Sequence, residues 1–135
     1  MRRKISGIRG LALAVICGLC GCPDAALAQQ EIVTLSTRPG VTQSYFLTSK
    51  PKDLQAVAVL FPGSGGLIQL RAEGGQPKFN QGNFLVRSRA EFIKGGVIAA
   101  IIDAPSDQQG GWGMGDEFRL GDSHFTDISA VIEDL

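Results

Sequence analysis

The sequence predicts an α/β fold, a sheet with helices on its faces, and three observations point there. Ala56–Phe61 and Val97–Ile102 are continuously apolar, as strands are when helices cover both faces of a parallel sheet. Asn83–Lys94 and the stretch from Asp122 to Leu135 carry apolar residues at helical spacing. Two strand-like segments joined by turn residues come first, so the order reads strand, strand, strand, helix, strand, helix.

Ile32–Thr37 and Val41–Thr48 read as strands, the second with Val41, Tyr45 and Leu47 on one face and Thr42, Ser44 and Thr48 on the other. Arg38-Pro39-Gly40 between them is turn chemistry: Pro39 pre-sets φ and Gly40 can take a positive one, which predicts an antiparallel hairpin with one face in water. The run from Ala56 is expected near the centre of the sheet, and the run from Val97 ends at Asp103.

Asn83 is a good N-cap and Gly95-Gly96 a good stop for a crossover helix bearing Val86, Ala90 and Ile93 beside Leu85 and Phe92. On the last helix, Phe125, Ile128, Val131, Ile132 and Leu135 draw the apolar stripe, and Asp127, Glu133 and Asp134 fall off it. Leu67–Gly82 and Ala104–Gly121 are long, glycine-rich and weakly periodic, a length that compact domains reserve for functional loops. There is no internal repeat.

The first 28 residues predict an export signal. Arg2, Arg3 and Lys4 give a basic start, Leu11–Leu19 a short apolar run, and Ala26-Leu27-Ala28 a small-x-small cleavage pattern, which makes Gln29 the mature start. The apolar run is shorter than the roughly 20 residues a membrane-crossing helix needs. Leu19-Cys20-Gly21-Cys22 also resembles a lipobox, with Cys22 as the lipidated residue and Cys20 as a departure from the pattern, so an anchored lipoprotein is the alternative to periplasmic or secreted release.

Residues 29–135 amount to one domain. Cys17, Cys20 and Cys22 all lie in the signal, so cleavage after Ala28 leaves no disulfide, thiol nucleophile or thiolate ligand. Of 13 basic residues Arg2, Arg3, Lys4 and Arg9 precede Gln29, and of 13 acidic ones only Asp24, leaving 9 against 12. A net charge near −3 gives no electrostatic basis for binding nucleic acid or an anionic membrane.

Phe61-Pro62-Gly63-Ser64-Gly65-Gly66 leaves the end of the first buried strand. Glycines there allow either a tight strand-to-helix turn or a cradle of bare amides that holds an oxyanion or a phosphate, and composition leaves both open. A dinucleotide fingerprint would need glycine at Ile68, and a phosphate-binding Walker loop would need a Gly-Lys-Ser or Gly-Lys-Thr that is absent.

Val57–Gly66, Gly82–Arg89, Asp103–Asp107 and Asp127–Ile132 together resemble the front half of secreted α/β-hydrolase-like proteins, over nearly all of residues 29–135. The resemblance implies a fold that is the N-terminal half of an α/β-hydrolase sheet, an antiparallel hairpin followed by β-α-β-α. It implies that Gly63, Ser64, Gly65 and Gly66 form the oxyanion-hole loop, with Pro62 where lipases and esterases carry the histidine of a His-Gly-Gly-Gly segment. It implies an ester-like small-molecule substrate and no cofactor or metal.

The Gly-x-Ser-x-Gly elbow of that family is missing: Ser64 has Pro62 two residues before it, and Ser123 has Phe125 two after. Gly121-Asp122-Ser123 resembles the Gly-Asp-Ser block of another lipase group, but a charged, glycine-rich segment precedes it instead of a buried strand, and Ser123 reads better as a helix N-cap. His124, the only histidine, falls off the apolar stripe and is expected to be a solvated surface residue with no nucleophile in reach.

Asp103 stands at the strand end where α/β sheets bind ligands, and an Asp there also orders a turn such as Ala104-Pro105. Trp112, between glycines, fits either a mobile cover over substrate or a single anchor in a loose loop. The expectation is therefore an exported serine hydrolase fragment that is inactive alone, its nucleophile, acid and histidine lying beyond Leu135. The alternative is a non-enzymatic exported binding or scaffold protein on the same sheet.

Overall fold

The computed structural model describes residues 30–48 and 56–135. The export segment, including Cys22 and the cleavage site after Ala28, lies outside the described residues.

Strands β1 (Glu31–Arg38) and β2 (Val41–Leu47) form the expected antiparallel hairpin around Pro39 and Gly40, with Gly40 at φ 71°. The pairing slips between Ser36 and Arg38, so Thr37 is an extra residue in β1. Regular pleating sends neighbouring side chains to opposite faces, and the irregularity lets Thr37 and Arg38 both reach the carboxylate of Asp127.

Strand β3 (Val57–Leu60) leads into a small two-stranded hairpin, β4 (Arg71–Glu73) and β5 (Gln76–Lys78), then helix α1 (Phe84–Lys94). Asn83 caps α1, its side-chain oxygen accepting from the Leu85 amide at 2.9 Å. The helix ends in paired bonds from Gly96 N–H to Ile93 and from Val97 N–H to Phe92, with Gly96 at φ 75°, a Schellman close. Strand β6 (Ile98–Ile102) follows, every residue buried, then a 3-10 turn at Ser106–Gln108, helix α2 (Asp116–Arg119) and helix α3 (Asp122–Asp134).

The main sheet runs β1-β2-β6-β3, antiparallel at its first two joints and parallel between β6 and β3, where Val57 pairs with Ile98 and Leu60 with Ile101. This is a mixed sheet in an α/β chain. The strand from Ala56, expected near the centre, stands at the end of this order; among the described residues only β6 flanks it, and Val57 to Val59 are half-buried. The fully enclosed strand is β6, because it has neighbours on both sides and a helix over each face.

One apolar layer joins Tyr45, Leu47, Ile98, Ala100 and Ile102 to Val131 of α3; the other joins Phe46, Leu60, Ala99 and Ile101 to Val86 of α1. Both faces of β2 are therefore covered from Tyr45 to Leu47, where the alternating pattern predicted one face in water.

Helix α3 departs from its predicted stripe. Phe125 is 74 % and Ile132 60 % exposed, while His124, Asp127 and Val131 are buried and Ile128 and Leu135 pack against the core. The inward face is 124, 127, 128, 131, 135, a proper helical spacing, and it was hidden because two of its members are polar. Burying Asp127 is tolerable because Arg38 and Thr37 satisfy it. The N-cap position belongs to Gly121, and Ser123 is already inside the helix.

Candidate functional site

The glycine loop leaves the carboxyl end of β3, and the carbonyls of Pro62, Gly63, Ser64 and Gly65 are all engaged. Arg119 Nη2 donates to Pro62 C=O at 3.1 Å and to Ser64 C=O at 2.5 Å. Gly63 C=O accepts from Gly66 N–H at 3.3 Å, and Gly65 C=O accepts from Met114 N–H at 2.8 Å. The amides of Gly63, Ser64 and Gly65 make no hydrogen bond among the described residues.

A trans peptide is planar, with its N–H opposite its C=O, so fixing a carbonyl fixes the next amide. Because Arg119 draws both the Pro62 and the Ser64 carbonyls, the Gly63 and Gly65 amides are directed away from it. Gly63 is exposed, whereas Gly65 is buried against the backbone of Trp112 and Gly113. Arg119 was not singled out in the sequence, since an arginine in a short helix gives no sign that it reaches a loop more than 50 residues away.

The loop's conformation demands glycine at positions 65 and 66. Gly66 sits at φ 73°, and a Cβ there would meet Met114 Cε at 2.5 Å. At Gly65 a Cβ would fall 1.4 Å from the carbonyl oxygen of Trp112. Ser64 at φ 58° and Gln69 at φ 54° are the non-glycine residues with positive φ among those described, and both lie in this segment.

Asp103 is buried at the end of β6, and its carboxylate accepts from the amides of Ile68 and Leu70 at 2.8 Å and of Ala104 at 2.9 Å. It organises the turn after β6, as an Asp before Ala104-Pro105 can, and it also ties down the chain that follows the glycine loop. Trp112 holds its side chain 93 % exposed while its backbone lies against Gly65.

No protein-family model, curated protein or solved structure matches this chain.

His124 is not a surface residue. It is 8 % exposed and held between two rings, Phe61 at 6.3 Å in an edge-on arrangement and Phe118 at 5.8 Å. Burial lowers its pKa below the ordinary imidazole value; Arg119 and Arg38 push the same way, and Asp127 opposes them. Asp127 itself accepts Arg38 Nε at 2.9 Å, Arg38 Nη2 at 3.0 Å and the Thr37 hydroxyl at 2.5 Å. Those bonds raise the Arg38 pKa further, so its charge is permanent.

The arrangement thus offers two backbone donors with fixed directions, a neutral imidazole behind the loop and a buried ion pair behind that. Arg119 donates to the Ser64 carbonyl, and the ring of Phe61, three residues before Ser64, packs on His124. Ser123, one residue before the buried imidazole, is exposed. Among the described residues no cluster of three or more His, Cys, Asp or Glu is gathered for a metal ion.

Proposed function

We propose that this chain supplies the oxyanion loop and sheet scaffold of an exported α/β-hydrolase acting on ester-like small molecules. In this reading residues 1–28 direct export, and the nucleophile, acid and catalytic histidine come from sequence outside these 135 residues. The observation that carries it is the pair of Gly63 and Gly65 amides at the carboxyl end of a parallel strand, oriented by a guanidinium on the carbonyls of the residues before them, Pro62 and Ser64. Oriented N–H groups at such a position stabilise the charge that gathers on a carbonyl oxygen during acyl transfer; removing one costs about 10²–10³ in turnover.

Two measurements test it. In an amide NMR titration with butyrate, the signal of exposed Gly63 is expected to move first, and movement confined to amides outside the loop would remove the cradle. The purified chain is expected not to hydrolyse p-nitrophenyl acetate above a heat-treated control, whereas the same chain extended by its downstream coding sequence should. Turnover by the chain alone, or a downstream sequence without a Gly-x-Ser-x-Gly, would overturn the assignment of roles.

The second reading, an exported anion-binding protein, draws on the sheet having a helix-borne apolar layer on each face. A sharp, monomeric thermal transition of residues 29–135 would favour it, because a domain with its packing complete unfolds cooperatively.

A further inference from the structure

The segment from Gly110 to Gly121 lies across the glycine loop as a strap. Its Met114 amide bonds Gly65 C=O at 2.8 Å, the backbone of Trp112 and Gly113 fills the space beside Gly65, and Arg119 grips the carbonyls of Pro62 and Ser64. The imidazole of His124 is wedged at the joint. One of its ring neighbours, Phe61, is the root of the loop, and the other, Phe118, belongs to the strap. Its Nδ1 is buried without a hydrogen-bond partner.

The charges that act on this imidazole come from three elements. The strap contributes Arg119 and β1 contributes Arg38, whose guanidinium lies 5.6 Å over Phe118; α3 contributes Asp127. Asp107 stands behind Arg38, bonded to it at 2.9 Å. The one carboxylate acting directly on the ring is already occupied by Arg38 and Thr37. An imidazolium there would meet two guanidiniums and no free anion, with a proton on buried Nδ1 that nothing accepts.

We propose that the strap is an acid-released cover of the Gly65-Gly66 half of the glycine loop and that protonation of His124 is its trigger. With the ring neutral, Phe61, His124 and Phe118 pack and the strap is closed. A charged ring needs water at Nδ1, which departure of Phe118 supplies, and Arg119 leaves the loop carbonyls with it. The sign follows from burial: the closed form holds the imidazole pKa below its ordinary value near 6.5, and the lifted form returns it there. Closure is therefore fully favoured above that value and weakens as pH falls through it. Lifting would also free the Gly63 and Gly65 amides from their fixed directions; that consequence rests on the proposed hydrolase reading, the lifting itself does not.

Amide hydrogen exchange at pH 7.5 and 5.0, corrected for the intrinsic rate, tests this on the full chain. Protection of Met114 N–H is expected to fall about tenfold at pH 5.0, while Asp103 N–H, bonded to Ser44 inside the sheet, stays constant. In His124→Phe, which keeps the ring stack and cannot titrate, Met114 protection should not change with pH; His124→Leu serves if the Phe variant fails to fold. Equal Met114 protection at both pH values, the same fall in the non-titrating variant, or a parallel fall at Asp103 would overturn the proposal. The butyrate titration at pH 7.5 reads the cradle at Gly63, which is exposed with the strap closed, so failure of either leaves the other standing.

Discussion

The carboxylate of Asp103 accepts the backbone amide of Ile68 at 2.8 Å, joining the end of β6 to the chain that leaves the glycine loop. Leu70 and Ala104 donate to the same buried group, so three amides depend on one side chain. Asn at this position keeps the shape but turns one acceptor into a donor facing a donor. Asp103→Asn is expected to lower unfolding stability by roughly 2–4 kcal/mol, since an amide bonded to a charged acceptor is worth about 1.5–3 kcal/mol and an orphaned buried donor costs more. Urea unfolding of the purified chain measures this, and a loss under about 0.5 kcal/mol would show that water replaces the carboxylate.

Gly63 and Gly65 lie two residues apart and should respond oppositely to alanine. At Gly65 the added methyl meets backbone, the Trp112 carbonyl oxygen at 1.4 Å and Gly113 Cα at 2.9 Å, which no rotamer change relieves. At Gly63 the nearest atom is the Asn83 side-chain nitrogen at 3.9 Å, ordinary contact. Gly63→Ala should fall within about 1 kcal/mol of the parent, because φ there is not positive. Gly65→Ala should cost at least about 2 kcal/mol or detach the strap, seen as lost protection at Met114.

The periodic parts of the fold were legible. The hairpin, the capped crossover helix, the all-buried β6 and the existence of α3 follow from turn residues, caps and apolar runs, signals that act over a few neighbours. The inward face of α3 was not legible, because its buried Asp127 and His124 look polar until Arg38, Phe61 and Phe118 are placed beside them. The glycine loop announced itself; its orientation did not, since that depends on Arg119 reaching Pro62 and Ser64 from α2. The short hairpin of β4 and β5 likewise leaves little trace, as six mostly exposed residues carry no period.

Arg38 and Asp127 form a fork, with Nε and Nη2 on the two carboxylate oxygens at 2.9 and 3.0 Å, and Asp127 is wholly buried. Asp127→Ala leaves Arg38 beside a desolvated cavity and strands the Thr37 hydroxyl. A loss of about 3–5 kcal/mol is expected in chemical denaturation. The double variant Arg38→Met with Asp127→Leu should recover at least half of that loss, because a buried ion pair gives back most of its Coulomb attraction as desolvation. If the double variant is no better than the single one, the pair does more than satisfy itself, and Asp107, Arg38's other partner, becomes the place to look.

Helix α3 offers a comparison between the stripe drawn by hydrophobicity and the face the fold uses. Phe125 and Ile132 are large and apolar but mostly exposed, so replacing either with serine removes little buried surface. Changes of under about 0.5 kcal/mol are expected for Phe125→Ser and Ile132→Ser. Val131 is smaller than both and fully buried against Tyr45, Leu47, Ala100 and Ile102. Val131→Ala should cost roughly 1.5–3 kcal/mol, the lost transfer energy together with the cavity left between helix and sheet. Thermal denaturation of the three variants ranks them directly, and a Phe125→Ser variant as destabilised as Val131→Ala would mean that this phenylalanine is covered in solution.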